Sequence, residues 1–195
     1  MHIVLLGDSV FDNAMYTSGG PAVVDHLRAR LGPGQEVTLL AVDGDRVADV
    51  PSQLRRLHEG GTHIFLSVGG NDALDHVGLL NERVRNVGEG MVLLGSRVNE
   101  FEGRYREMVR AVTSEVGHVH LCTIYNGSFG PEGPMVSSAV LLFNDAIQRV
   151  ATAFFLPVLE LRDLLNEPAH YANPIEPNVE GGRILAEEIL RRVRE

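Results

Sequence analysis

Ser9 stands directly after the first apolar run of the chain, in LLGDSVFDN, residues 5–13. A serine at the carboxyl edge of a sheet can act as a nucleophile if a base takes its proton and donors hold the oxyanion that forms. By itself Gly7-Asp8-Ser9 reads first as a turn or a helix cap. Two further residues change the weighing. Gly44 follows a second apolar run and offers a backbone N–H with no side chain in the way, and Asn71 follows a third and offers a side-chain NH₂. With the Ser9 N–H they would form a three-donor oxyanion hole, each donor contributing roughly 3–4 kcal/mol.

These residues are useful together only if their strands are neighbours. Strands are expected at His2–Leu6, Val37–Ala41, His63–Val68, Val119–Ile124 and Leu156–Leu161. All are short, rich in Val, Ile and Leu, and not alternating, as in strands buried on both faces of a parallel sheet. Helices are expected over 20–34, where Pro21 starts and Gly32-Pro33 stops one, over Val98–Val116, over 136–154 and over 179–193. Val98, Phe101, Tyr105, Met108, Val109, Val112 and Val116 recur every three or four residues on one face. The alternation predicts a flavodoxin-like α/β fold: a three-layer α/β/α sandwich on a five-stranded parallel sheet, as one domain over 1–195. Ligands bind at the carboxyl ends of such strands. Gly7-Asp8-Ser9, Asp43-Gly44-Asp45, Gly69-Gly70-Asn71-Asp72 and Tyr125-Asn126-Gly127-Ser128 all fall there.

Composition removes several alternatives. The net charge is −9 and every one of the 17 basic residues is Arg. An acidic chain without lysine does not suit a nucleic-acid or anionic-membrane partner, and it excludes Schiff-base and P-loop lysine chemistry. The single cysteine, Cys122, lies in the apolar run VHLCTIY and reads as a buried structural thiol, with no partner for a disulfide or multi-cysteine metal site. Asp8, Asp12 and Asn13 flank Ser9 and Asp72 follows Asn71; Asp8 and Asp72 read as braces for the two turns, and no metal or cofactor is expected. No segment approaches the length of a membrane span, and the N-terminal run Ile3–Leu6 lacks a basic lead-in and cleavage site. The expected location is therefore cytoplasmic.

At this point the chain resembles the SGNH, or GDSL, hydrolases, a family of esterases, lipases and carbohydrate acetylesterases. Its first block is matched by GDSV at 7–10, its second by Gly44, and its third by GGND at 69–72, each after the expected strand. The resemblance implies Ser9 as nucleophile, with the Ser9 N–H, the Gly44 N–H and Asn71 as oxyanion donors. It also implies a small acyl ester or an acetylated carbohydrate as substrate.

The fourth block departs from the family pattern Asp-x-x-His-Pro. In YANPIEPNVEGG, residues 171–182, Asn173 takes the place of the aspartate and Glu176 that of the histidine. Glu176 is either the base or a brace for the loop, and Asn173 its orienting partner. As a base it starts with a pKa of about 4.3 against about 6.5 for histidine, which burial beside an apolar pocket would partly recover. His170 and His76 are alternative bases. His2, His63, His118 and His120 belong to strands, and His26 and His58 to helix faces. The rival reading is a catalytically inactive domain of the same fold that binds an ester, carbohydrate or protein partner in the same cleft.

Overall fold

The structure is a computed structural model describing residues 1–57, 61–115 and 117–194. His58 and Val116 lie outside the described residues. Five parallel strands, β1 (His2–Gly7), β2 (Glu36–Leu39), β3 (His63–Ser67), β4 (His118–Cys122) and β5 (Val158–Leu159), form one sheet in the order β2-β1-β3-β4-β5. The helices described are α1 (Val23–Arg28), α2 (Val50–Leu54), α3 (Gly70–Leu74), α4 (Val87–Glu115), α5 (Gly133–Phe154), α6 (Leu161–Leu164) and α7 (Val179–Arg192). The expected α/β/α sandwich is present.

Alternation along each strand splits the core in two. Ile3, Leu5, Phe65 and Cys122 point toward α1 and α7, whereas Val4, Leu6, Ile64, Leu66 and Leu121 point toward α4 and α5. Both faces of the central strands are therefore dry, which explains their uninterrupted apolar runs. Across the second face Phe101 of α4 meets Phe143 of α5 edge-on at 5.2 Å and Tyr105 at 5.3 Å. These rings hold the two long helices together beside the site.

The expected elements differ from the observed ones mostly at their ends, each for a local reason. β2 stops at Leu39 because Leu40 and Ala41 both donate to the Leu5 carbonyl, so two residues oppose one. β4 stops at Cys122 because the Ile124 N–H and C=O are both taken by the buried amide of Asn144, at 2.7 Å each. β5 is an edge strand shortened by Pro157, which has no N–H to donate, and by Glu160, which turns to accept the Arg162 N–H of α6. α4 begins eleven residues before the expected start. Its first turns carry the exposed apolar side chains of Val87, Met91 and Val92, so no single buried face marks them.

The chain leaves β1 for β2 on one side and returns to β3 on the other, so the strand order reverses between β1 and β3. That is where an open α/β sheet places its ligand crevice. The close approach of these two strands depends on Gly7, at φ +126°, where a Cβ would lie 1.7 Å from the Ser67 carbonyl oxygen. Gly7→Ala should destabilise the fold by about 3 kcal/mol or more, from strain plus a backbone clash. An unchanged urea-denaturation midpoint in this variant would contradict the β1–β3 geometry.

Candidate active site

The turn after β1 is built around Asp8. Its N–H continues the ladder to Ser67 O at 3.0 Å, and its carbonyl accepts from Phe11 and Asp12. Its Oδ1 accepts from the Val10 N–H at 3.2 Å. Among residues 8–12 the Ser9 N–H alone makes no hydrogen bond within the described protein. It is left free on a tight turn whose other amides are all committed.

The loop after β2 is tied to this turn. Asp12 accepts the Asp43 N–H at 3.0 Å, and Asn71 donates from Nδ2 to the Asp45 carbonyl at 2.9 Å. Between these ties sits Gly44, at φ +85°, a backbone conformation that favours glycine even though a Cβ would meet nothing within 4 Å. Among the described residues its N–H has no internal partner either. Asn71 keeps a second N–H beyond the one given to Asp45. Asp72 accepts the Val47 N–H at 3.0 Å, so Asp8 and Asp72 do brace their turns.

One residue that motif reading passes over holds both loops. Gln53 of α2, 2% exposed, accepts the Gly7 N–H at 2.8 Å and donates to the Gly7 carbonyl and to Asp45 Oδ2, both at 2.7 Å. Nothing local in the sequence marks a glutamine one helix away as the clamp between two site loops.

The segment before α7 is equally constrained. Asn173 Oδ1 accepts the N–H groups of Ile175 at 2.9 Å and Glu176 at 3.0 Å. Its effect is therefore on the backbone of the loop, and its own side chain sits in an exposed residue outside the cavity. Pro174 O accepts from Ser128 N–H at 2.7 Å, and the Tyr125 hydroxyl donates to the Ile175 carbonyl. Asn13, fully buried, donates from Nδ2 to Pro177 O at 3.1 Å and accepts the Val23 N–H at 2.9 Å. The turn that carries Ser9, α1 and the Glu176 loop thus share one side chain.

Glu176 is 6% exposed, and its Oε2 has no hydrogen-bond partner among the described residues. Burial pushes its pKa up to about 6, opposed by a hydrogen bond with the Ser9 side chain and helped by the nearby charge of Asp43. Ser9, Asn71 and Glu176 line a common cavity of about 110 Å³, together with Asp8 and His76. Burial likewise pushes Asp8 up to about 8, with Glu176 and Asp72 adding repulsion. At neutral pH the cavity therefore holds one ionised carboxylate and one carboxylic acid.

Of the remaining candidates His76 lines the cavity and the others do not. His170 accepts the Glu167 N–H through Nδ1 and does not line the cavity; Gly44 and Asn173 are also absent from its wall. His76 does line it, with its ring 6.4 Å from that of Phe143. His63 stacks on His118 at 5.0 Å and His120 on Phe65 at 4.6 Å, while His2 bonds to Thr38 and His26 to Val179 O. Cys122 is buried, and burial raises its thiol far above the ordinary range. Among the described residues no helix is long and apolar enough to cross a membrane.

Comparison with known proteins agrees with this architecture. Among curated proteins no sequence matches the chain. Solved structures match over nearly its whole length. A catalytic mutant of an acetylxylan esterase from Geobacillus stearothermophilus is 16% identical, with TM-score 0.72 over 98% of this chain and 93% of that one. A member of the lipolytic G-D-S-L family from Veillonella parvula is 18% identical, with TM-score 0.69 over 98% and 97%. The lipase/acylhydrolase from Enterococcus faecalis is 23% identical, with TM-score 0.71 over 99% and 95%. At these identities the likeness establishes the fold. The family model for the GDSL-like lipase/acylhydrolase family matches residues 5–184, and the chain belongs to that family.

Proposed function

We propose that the protein is a carboxylic ester hydrolase in which Ser9 is the nucleophile and Glu176 its base. The observation that carries this reading is the buried Glu176 carboxyl beside the Ser9 hydroxyl in one cavity, with its Oε2 unpartnered among the described residues. A brace for the loop would spend its oxygens on backbone amides. The loop is braced instead by Asn173, which accepts from its amides, and by Asn13 and Tyr125, which donate to its carbonyls, leaving the Glu176 carboxyl to the cavity.

In the proposed reaction Ser9 Oγ attacks the ester carbonyl carbon as its proton passes to Glu176. The carbonyl oxygen gains the negative charge, which the Ser9 N–H, the Gly44 N–H and the second Asn71 N–H stabilise. Collapse expels the alcohol, which takes the proton from Glu176. A water then attacks the acyl-enzyme as its proton passes to Glu176, and collapse releases the carboxylic acid while Glu176 returns that proton to Ser9 Oγ. A base near 6 lies close to the ordinary histidine value of about 6.5, so most of the driving force lost with the histidine is restored. Acetylated carbohydrate, as the acetylxylan esterase's name implies for that protein, is one ester of this class.

Fluorophosphonate labelling and p-nitrophenyl ester turnover test the assignment. Ser9→Ala should lose both label and turnover, and Glu176→Gln should lower kcat by about 10²–10⁴. In the native protein kcat/KM should rise with pH through about 6 and then level off. An unchanged rate in Glu176→Gln would remove it from the mechanism, and an unlabelled, dispensable Ser9 would leave a binding domain of the same fold.

Stability supplies a check on Glu176 that needs no turnover. Its pKa is raised on folding, so the folded state binds the proton more tightly. Its contribution to stability is greatest below about 4.5 and is lost as pH rises through about 6. Glu176→Gln should therefore match the native protein below about pH 4.5 and exceed it by up to ~2 kcal/mol above pH 6. Parallel urea melts across this range measure the difference, and a gap independent of pH would mean the carboxyl is not held as described.

A further inference from the structure

We infer that the cavity beside Ser9 is a binding site for an aliphatic acyl chain longer than acetyl. This rests on the ester hydrolase reading above and names the acid half of its substrate.

The composition of the wall makes the case. Beyond Ser9, Asn71 and Glu176, the cavity is bounded largely by apolar side chains from three separate segments. These are Ala73 and Leu80 after β3, Leu94 of α4, and Ala139, Val140 and Phe143 of α5. The polar groups that remain are mostly occupied. The Tyr125 hydroxyl is donated to Ile175 O, and Thr123 Oγ1 is donated to Glu160 at 2.7 Å. No Arg lines the cavity, and the protein contains no Trp. A sugar ring would need many hydrogen-bond partners, and beyond Ser9, Asn71 and Glu176 this wall leaves the side chains of Asp8, Ser67 and His76 to supply them among mostly apolar neighbours. A polar ligand would lose hydrogen bonds to water there without replacement. A methylene chain loses none.

The apolar surface also continues outward. Leu74 and Val77 line the cavity yet are 36% and 50% exposed. On α4 the stripe Val87, Met91, Leu94, Val98 runs from solvent, past the cavity wall, into the core. Such a strip of exposed apolar side chains leading to an apolar cavity is what a chain-bearing substrate meets on entry. An acetyl group is a single methyl beyond the carbonyl and would leave most of this wall without a partner.

The test is a series of p-nitrophenyl esters from acetate to octanoate, which holds the leaving group constant. Each buried methylene is worth ~0.8 kcal/mol, about fourfold in kcat/KM, so hexanoate should exceed acetate by at least tenfold. Ala139→Phe, which fills the wall, should lower the octanoate-to-acetate ratio at least tenfold. Should that variant fail to fold, Ser9→Ala titrated with methyl octanoate and methyl acetate by NMR gives an independent reading. Saturable shifts of the cavity residues with the octanoate ester alone support the site, even if the native protein turns over no ester and the hydrolase reading falls. Acetate hydrolysed as fast as hexanoate, with no octanoate binding, overturns the site and leaves the hydrolase reading standing. Rates that climb with alcohol length in alkyl acetates, and not with acyl length, also overturn it.

Discussion

Burial of the Glu176 carboxyl is the constraint around which the site is arranged. A carboxylate removed from water is expensive unless its surroundings are rigid enough to deny it an easier position. The loop that carries it is held on every side. Ala172 N–H donates to the Glu176 carbonyl at 2.8 Å, Asn173 Oδ1 accepts the Glu176 N–H, and Tyr125 and Ser128 hold the two residues before it. Asn178 then caps α7 by accepting the Glu180 and Gly181 N–H groups while donating to Ala169 and Tyr171 carbonyls. With the backbone fixed at both ends, the side chain has little freedom to swing toward solvent, and its charge is accommodated by a raised pKa.

Asp8 makes the second half of that accommodation. Two ionised carboxylates in one cavity would repel each other strongly, with no cation in its wall. Asp8 instead has the higher pKa, about 8, and Glu176 the lower, about 6. Environment separates them. Asp8 is enclosed by the strand ends and has one side-chain hydrogen bond from Val10, whereas Glu176 has the Ser9 hydroxyl. Between the two values one group carries a proton and the other is free to accept one. In the proposed mechanism that leaves the base ionised and Asp8 neutral, so Asp8 does not oppose the developing oxyanion.

The strands, their order of chemistry and the three blocks at 7–10, 44 and 69–72 were legible because each depends on local pattern. Consecutive buried residues show as apolar runs, and a turn that needs positive φ shows as glycine. The oxyanion candidates were legible for the same reason: each directly follows a strand. What escaped were residues whose partners lie far along the chain. Gln53 reaches back 46 residues to Gly7, Asn13 reaches 164 residues forward to Pro177, and Asn144 replaces a strand neighbour for Ile124. Each is an ordinary polar residue in a helix or turn, with no spacing that announces its role. Asn173 shows the converse. Its position beside Glu176 was legible, but that its carbonyl oxygen would serve backbone amides depended on the conformation of the loop.

In the proposed mechanism Glu176 is the base where the family pattern has histidine, and this has a consequence for the whole fold. A histidine base is neutral before it accepts a proton, so it can be buried at neutral pH with modest cost. A glutamate base is charged before it accepts one, so the burial that tunes it also destabilises the native state at the pH where it works. The two effects share one cause and cannot be separated by repacking the loop: exposing Glu176 would recover stability and lower its pKa together. Asn13 and Gln53 are where that trade is held. Both are buried, both bridge site loops through hydrogen bonds at each end, and loss of either would leave backbone donors or acceptors unsatisfied in a dry interior. Of the two, Asn13 ties the Glu176 loop directly to the turn at Ser9 and to α1, which opposes the relaxation that would expose the carboxyl.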